Sequence, residues 1–149
     1  MKPGAELRIG NENEKTAITL QGHDPGPYEG SRGSRALLEG MKLLLGWEPI
    51  MEQGNIIGLH DVTGGGAISL EPGGQFELSG APVETVHQTQ SELVAHLAQV
   101  KEIATPLGIG FLGFGMTPSG SRGRIPVMPQ GHRGCTGSTR PTSGRPVPH

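Results

Sequence analysis

A short alternating stretch between residues 67 and 79 limits the fold more than any other part of this sequence. Polarity alternates from Ala67 to Leu70 and again from Gln75 to Leu78, and Pro72-Gly73-Gly74 between them is a strong turn signal. The pattern predicts a β-hairpin. Because successive strand side chains point to opposite faces, one face would be apolar and the other polar. The apolar face would carry Ile68, Leu70, Phe76 and Leu78, and the polar face Ser69, Glu71, Gln75, Glu77 and Ser79.

Two pairs of acidic side chains lie in or beside predicted strands. Glu71 and Glu77 share the polar face of the hairpin, and Glu12 and Glu14 are two residues apart, so they would also share a face. Carboxylates held this close repel each other unless a cation lies between them or one keeps its proton. With glycines 64–66 nearby, the acids suggest a site for a divalent metal and phosphate. A solvated acidic face explains the hairpin pattern equally well, since antiparallel sheets commonly have one.

The rest of the chain up to residue 115 predicts two helices and further strands. Ser34 to Leu45 follows the helical period, with Ser34 as the cap and Gly46 as the end. A longer helix would start at Pro82 and run to about Ala104, with one apolar stripe formed by apolar residues spaced seven positions apart. Short apolar alternations predict strands at 7–10, 16–20, 47–50, 55–59 and 108–114. This order predicts an α+β fold with a mainly antiparallel sheet.

The end of the chain has a different composition. Five of the 12 basic residues, all arginines, lie in 116–149, whereas all 14 acidic residues lie in 1–115. Residues 130–149 contain no Leu, Ile, Phe, Tyr or acid, so we expect this segment to be disordered. An arginine-rich arm can bind nucleic acid, but no aromatic residue is interleaved for base stacking, so a nucleic-acid partner is not expected. A gene read out of frame near its end is the simpler explanation.

The compartment is predicted from what the sequence lacks. The single cysteine, Cys135, excludes an internal disulfide, which fits a reducing compartment. There is no long apolar run and no signal-peptide pattern at the amino terminus. These features predict a cytoplasmic protein that does not contact a membrane.

Four longer motifs resemble one enzyme family. RIGNENEK, GWEPIMEQGNIIGL, ISLEPGGQFELSGAPVETVHQT and LGIGFLGFGMTPS begin at residues 8, 46, 68 and 107. In this order they resemble the amino-terminal part of glutamate–cysteine ligase, in the form shared by plants and many proteobacteria. The resemblance runs from about Glu6 to about Pro129. It implies that residues 1–129 are the amino-terminal part of the ligase catalytic domain and that 130–149 are a separate tail.

The resemblance also implies a fold, a reaction and a metal site. The fold would be part of a glutamine-synthetase-like antiparallel sheet with two main helices, which binds Mg²⁺ and ATP on its concave face. Glu12, Glu71 and Glu77 match the family's metal-binding positions, and Glu14 matches an acidic position in the same cluster. The family phosphorylates the side-chain carboxylate of glutamate, and the cysteine amine then attacks the acyl phosphate, giving γ-glutamylcysteine, the first step toward glutathione. The partners implied are therefore glutamate, cysteine and ATP.

Departures from the family pattern leave alternatives open. The family usually has histidine where this chain has Asn13, an aromatic residue at Thr16 and cysteine at Gln90. Much of the expected nucleotide and substrate site is also missing, so we expect the chain alone to be an inactive fragment. One alternative is a carboxylate–amine ligase of the same superfamily that uses another amine. The other is a non-enzymatic fragment that binds nucleic acid through its basic tail.

Overall fold

The computed structural model describes residues 7–115 and 122–129, which build one antiparallel sheet covered on one face by two helices. The strands lie side by side in the order β2-β3-β4-β5-β1-β6, and every neighbouring pair is antiparallel. The α+β class is therefore confirmed. The strands are β1 Glu12–Thr19, β2 Glu48–Glu52, β3 Asn55–His60, β4 Ala67–Leu70, β5 Gln75–Ser79 and β6 Ile109–Leu112, and the helices are α1 Ser34–Leu45 and α2 Val86–Leu107.

The predicted hairpin is present, with the predicted faces. β4 and β5 pair with Ile68 opposite Leu78 and Leu70 opposite Phe76, and the exposed fraction of all four side chains is at most 1%. The turn closes with a hydrogen bond from the Gly74 amide to the Glu71 carbonyl, 3.0 Å long. Gly73 and Gly74 both have a φ of 83°, a conformation that favours glycine. The sheet therefore has a face packed on the helices and an open face.

β1 corrects the prediction for the first part of the chain. The sequence predicted two strands, at 7–10 and 16–20, on either side of the acidic residues, but one strand runs through those residues. Residues 7–10 form only an isolated bridge between Ile9 and Val83. A strand tolerates the acidic residues because Glu12 and Glu14 point to the open face, while the intervening backbone pairs with β5. Its second half pairs with β6, so β1 lies inside the sheet.

α1 has the predicted bounds but a different start. Its cap is Gly33, with no side-chain hydrogen bond, and Ser34 is buried as the first helical residue. The predicted serine cap is therefore wrong. The predicted end is correct: Gly46 has a φ of 67°, and its amide donates to the Lys42 carbonyl over 2.9 Å.

α2 starts later than predicted and faces the sheet differently. Thr85 and Gln88 form a capping box, so the helix begins at Val86 rather than Pro82, and it ends before Gly108. The residues of α2 that are buried are His96, Val100 and Ala104, each four positions from the next, whereas Val86 is 65% exposed. The predicted seven-residue stripe therefore missed the histidine that faces the sheet.

The core lies between the helices and the sheet. A register shift in the pairing of β2 with β3 lets Ile56 and Leu59, three residues apart, both lie in it. The segment 122–129 returns to the hairpin turn, where Met128 is buried against Gly74. Neither described helix is long and apolar enough to cross a membrane. The predicted disorder of 130–149, including Cys135, falls outside the described residues.

Candidate functional site

The predicted acidic side chains come together on the open face of the sheet. Glu14 on β1 lies directly opposite Glu77 on β5, and Glu12 lies opposite Ser79. On the other side of β5, Ser69 of β4 lies opposite Glu77, and Glu71 directly follows β4. Side chains directly opposite in an antiparallel pair have Cβ atoms about 4.5–5.5 Å apart. The pairing therefore brings Glu14 and Glu77 close together, with Glu12 and Glu71 on neighbouring positions.

Neutral polar side chains orient three of the carboxylates. The Ser79 hydroxyl donates to Oε1 of Glu77 over 3.2 Å, and the Ser69 hydroxyl donates to Oε1 of Glu71 over 3.1 Å. The side-chain amide of Gln75 donates through Nε2 to Oε2 of Glu14 over 3.4 Å. In each of these three contacts, only one of the two carboxylate oxygens accepts the hydrogen bond. The open face therefore presents several oriented carboxylate oxygens.

Glu77 is the electrostatic centre of the group. Partial burial raises the pKa of its carboxyl, and the negative charges of Glu71, Glu14 and Glu12 raise it further. The hydrogen bond from Ser79 opposes this shift because it stabilises the charged form. The negative charges of three separate carboxylates therefore act on Glu77.

The donor chemistry of this face fits a hard cation. Among residues 7–115 and 122–129, no three His, Cys, Asp or Glu side chains lie close enough together to hold a metal ion as a ready-made group. Mg²⁺ usually takes only one or two protein carboxylates, together with phosphate oxygens and water. A facing pair such as Glu14 and Glu77 meets that requirement in ligand type and number.

Glycines 64–66, which the sequence offers either as a place for a ligand to approach or, more simply, as a flexible loop, belong to a turn organised by Asp61. The Asp61 amide donates to the Gly66 carbonyl over 2.8 Å, and the Gly65 amide donates to the Asp61 carbonyl over 2.9 Å. The Asp61 carboxylate also accepts from the Thr63 amide over 3.0 Å. These contacts give the glycines a structural role in connecting β3 to β4.

Sequence reasoning missed a buried polar pair on the other side of the sheet. The ammonium group of Lys15 lies 3.0 Å from Nε2 of His96, and both residues are only 3% exposed. Burial lowers the pKa of Lys15 to about 8, although the negative charge of Glu77 opposes that shift. Burial, and then the charge of Lys15, lowers the pKa of His96 to about 4. The alternation of polarity along β1 places Lys15 on the helix side, but no sequence signal connects it with His96.

Curated relatives of this chain are plant enzymes. The chain is 51% identical over 124 residues to "Glutamate--cysteine ligase, chloroplastic" of Medicago truncatula, covering 83% of the chain and 23% of the relative. It is 46% identical over 130 residues to "Glutamate--cysteine ligase A, chloroplastic" of Oryza sativa subsp. japonica, covering 87% and 25%. For the Arabidopsis thaliana "Glutamate--cysteine ligase, chloroplastic", the identity is 48% over 126 residues, covering 85% and 23%. The chain therefore spans about a quarter of the length of these relatives.

These names correct the prediction of a cytoplasmic location. All three relatives are named as chloroplastic proteins, which contradicts the predicted cytoplasmic location. The prediction rested on a single cysteine and on the lack of an apolar amino-terminal segment. Neither feature distinguishes the cytoplasm from another reducing compartment of the cell, which is why the prediction failed.

A family model covers nearly the whole chain. The model for glutamate–cysteine ligase family 2 matches residues 8–146. This match includes the four acidic positions and both helices, and it continues past residue 129. The boundary at 129 and the out-of-frame origin of the tail stay predictions. With this coverage, and with plant relatives about half identical to it, the chain belongs to the glutamate–cysteine ligase family 2.

Proposed function

We propose that this chain is part of a ligase that joins the side-chain carboxylate of L-glutamate to the amine of L-cysteine at the expense of ATP, giving γ-glutamylcysteine for glutathione biosynthesis. The observation that carries the proposal is the family match over residues 8–146. The facing carboxylates on the open side of the sheet support it, because a reaction of ATP requires a cation to bind the phosphate oxygens.

The open face is the proposed Mg²⁺ and ATP site. Glu12, Glu71 and Glu77 would hold the ion, and Glu14, opposite Glu77, would complete the acidic cluster. Bound there, Mg²⁺ would neutralise phosphate charge and orient the phosphoryl group for transfer. The carboxylates themselves attack nothing. Their part is to fix the cation, and the serines that donate to Glu71 and Glu77 would hold those side chains in the required orientation.

The identity of the amine decides between this ligase and another carboxylate–amine ligase. A full-length protein containing this sequence should be supplied with Mg²⁺, ATP and glutamate, and with a panel of amines that includes cysteine, glycine and simple alkylamines. We expect phosphate release and a γ-glutamyl product with cysteine. Fast turnover with another amine and none with cysteine would overturn the proposed substrate, while leaving the ligase chemistry in place.

The metal ligands are tested by substitution in the same full-length protein. Glu12→Gln, Glu71→Gln and Glu77→Gln should each raise the Mg²⁺ concentration needed for half-maximal rate and lower the maximal rate, since each removes a charged oxygen donor. Glu102→Gln is the matched control because Glu102 is an exposed glutamate on α2, away from the open face. Equal Mg²⁺ dependence in all four variants would contradict the proposed ligand set.

A further inference from the structure

Lys15 holds a buried positive charge directly behind the open acidic face. Its neighbours in β1, Glu14 and Thr16, point to the open side, so Lys15 points toward the helices, where it is 3% exposed. A buried ammonium group is costly unless its protons have partners. Here it lies 3.0 Å from Nε2 of His96, donates to the Asn13 carbonyl over 3.2 Å, and lies 5.6 Å from the centre of the Phe76 ring. These three contacts fix the position of the charge.

His96 is suited to hold Lys15 because it stays neutral. Burial and the charge of Lys15 lower the pKa of His96 to about 4, so near neutral pH its ring is uncharged. Since the ammonium group can only donate, Nε2 is the accepting nitrogen and the ring proton lies on Nδ1. The ring is also stacked on Phe76, with 6.3 Å between the ring centres. α2 therefore positions the lysine through a side chain that is itself held in place.

The register of the sheet places this charge next to the two facing carboxylates. Lys15 is adjacent to Glu14 along β1, and its partner across the strands, Phe76, is adjacent to Glu77 along β5. The ammonium group and the carboxylates thus lie on opposite faces of the same two-strand segment. A methionine or leucine would fill the same space without the cost of burying a charge, so packing does not account for a lysine here.

We propose that Lys15, positioned by His96, is an internal counter-charge that stabilises the metal-free acidic face and sets how tightly that face binds a divalent cation. The inference rests on the proposed function, since it concerns the same metal site. In the metal-free protein the ammonium group offsets part of the repulsion between Glu14 and Glu77. When a divalent cation binds, the two positive charges repel each other through the sheet, which weakens binding and allows release.

The direction of the effect separates this role from a purely structural one. Replacing Lys15 with an uncharged residue should tighten cation binding, whereas damage to the strand would weaken it. The test uses residues 1–149 with Mn²⁺ as a probe for Mg²⁺, and free Mn²⁺ is measured by electron paramagnetic resonance. Lys15→Met should bind Mn²⁺ about three- to tenfold more tightly at low ionic strength, and the gain should shrink in high salt.

Three further variants provide the controls. Lys42→Met removes the same charge from the exposed side of α1 and should leave Mn²⁺ affinity unchanged. His96→Gln keeps a neutral acceptor for Lys15 and should stay close to the unmodified chain. If Lys15→Met does not fold, Lys15→Met/His96→Leu removes both members of the Lys15–His96 pair together, so that neither is left buried without the other, and should show the same tighter binding.

The outcomes distinguish this inference from the proposed metal site. If the chain binds Mn²⁺, loses it in Glu77→Gln and does not bind it more tightly when Lys15 is neutralised, Lys15 is not a counter-charge, and the metal site stands. Equal tightening in Lys42→Met would also overturn the inference, since net charge alone would explain the effect. If the chain binds no Mn²⁺ and Glu77→Gln changes nothing, both the metal site and the inference are wrong.

Discussion

Single residues of opposite charge lie on the two faces of this sheet: the carboxylate of Glu77 on the open face and the ammonium group of Lys15 on the face covered by the helices. On the open face, partial burial and neighbouring carboxylates raise the pKa of Glu77. Behind it, burial lowers the pKa of Lys15 to about 8 and that of His96 to about 4. In all three residues the fold disfavours the charged form. The stability of this part of the molecule should therefore depend on pH and on any ion that binds to the open face.

His96 should make the fold less stable in acid. Its pKa is lowered from 6.5 to about 4, so between these values the unfolded chain binds a proton that the folded protein does not. The contribution of His96 is therefore fully present above pH 6.5 and is lost as the pH falls toward 4. A shift of this size limits the loss of stability to about 3–4 kcal/mol. Urea unfolding of the unmodified chain and of His96→Gln at pH 7 and pH 4.5 measures it.

The variant isolates the histidine from other titrating groups. His96→Gln keeps a neutral acceptor but cannot gain a proton in this range, so its free energy of unfolding should fall less between pH 7 and pH 4.5. Glu77 acts in the opposite direction, because its raised pKa costs stability as the pH rises, and this contribution is common to both proteins. An equal loss of stability in both would show that His96 is not held neutral.

Neutralising Glu77 should stabilise the metal-free chain. Glu77 faces Glu14 directly, and like charges in opposite positions on a strand pair destabilise it by about 0.2–1 kcal/mol. Glu77→Gln removes that repulsion and the cost of burying the charge, so its melting temperature at pH 7 should rise by a few degrees. Glu102→Gln, on the exposed side of α2, should not change it. A lower melting temperature for Glu77→Gln would contradict the repulsion described for the open face.

At the scale of elements, the local sequence pattern was sufficient to predict a strand or helix where the element pairs with its neighbour in the sequence. The hairpin of β4 and β5 was predicted with its turn and both faces, because period-2 alternation and a Pro-Gly-Gly turn act locally. The start of α2 was predicted wrongly because Pro82 and the Thr85 cap are both valid start signals, and the capping box with Gln88 prevailed. The strand through Glu12 and Glu14 was missed because its pairing with β5, which is non-local, outweighs the polar sequence.

For the candidate site, too, the sequence predicted the local arrangement of side chains but not the contacts between distant parts of the chain. Alternation alone placed Glu71 and Glu77 on one face of the hairpin, and the two-residue spacing of Glu12 and Glu14 placed those two side chains together on one face of their own segment. That Glu14 lies opposite Glu77 depends on the strand register, which the sequence does not specify for strands more than 60 residues apart. Lys15 and His96 are 81 residues apart, and their contact needs both the sheet and α2 in place.

At the scale of elements, Gly58 is a position where adding a single methyl group should be costly. A Cβ atom there would overlap the carbonyl oxygen of Ile68 on β4, which is backbone and cannot move aside cheaply. Gly58→Ala should therefore push β3 away from β4 and lower the free energy of unfolding by about 1–3 kcal/mol. Gly113→Ala is the matched control because a Cβ there meets no atom within 4 Å. Similar unfolding curves for the two variants would show that β3 and β4 are not packed this closely.

At the scale of the whole molecule, the described residues form a sheet with two edges and one covered face. β2 and β6 lie at the ends of the strand order, so each has one side without a neighbouring strand in the described part of the chain. Exposed apolar side chains, including Leu43, Met51 and Phe114, lie on α1, on β2 and beyond β6. Edges and apolar surface of this kind favour association, so we expect low solubility for the chain alone.

The last prediction is that residues 1–149 are catalytically inert, even if the open face binds a cation. The chain spans about a quarter of its curated relatives, and ligation requires glutamate, cysteine and ATP to be held together in one geometry. Supplied with Mg²⁺, ATP and both amino acids, the chain should release no phosphate above background, whereas a full-length protein tested in parallel should. Sustained phosphate release by the chain that requires both amino acids and disappears in Glu77→Gln would prove this wrong and would place a complete active site within these residues.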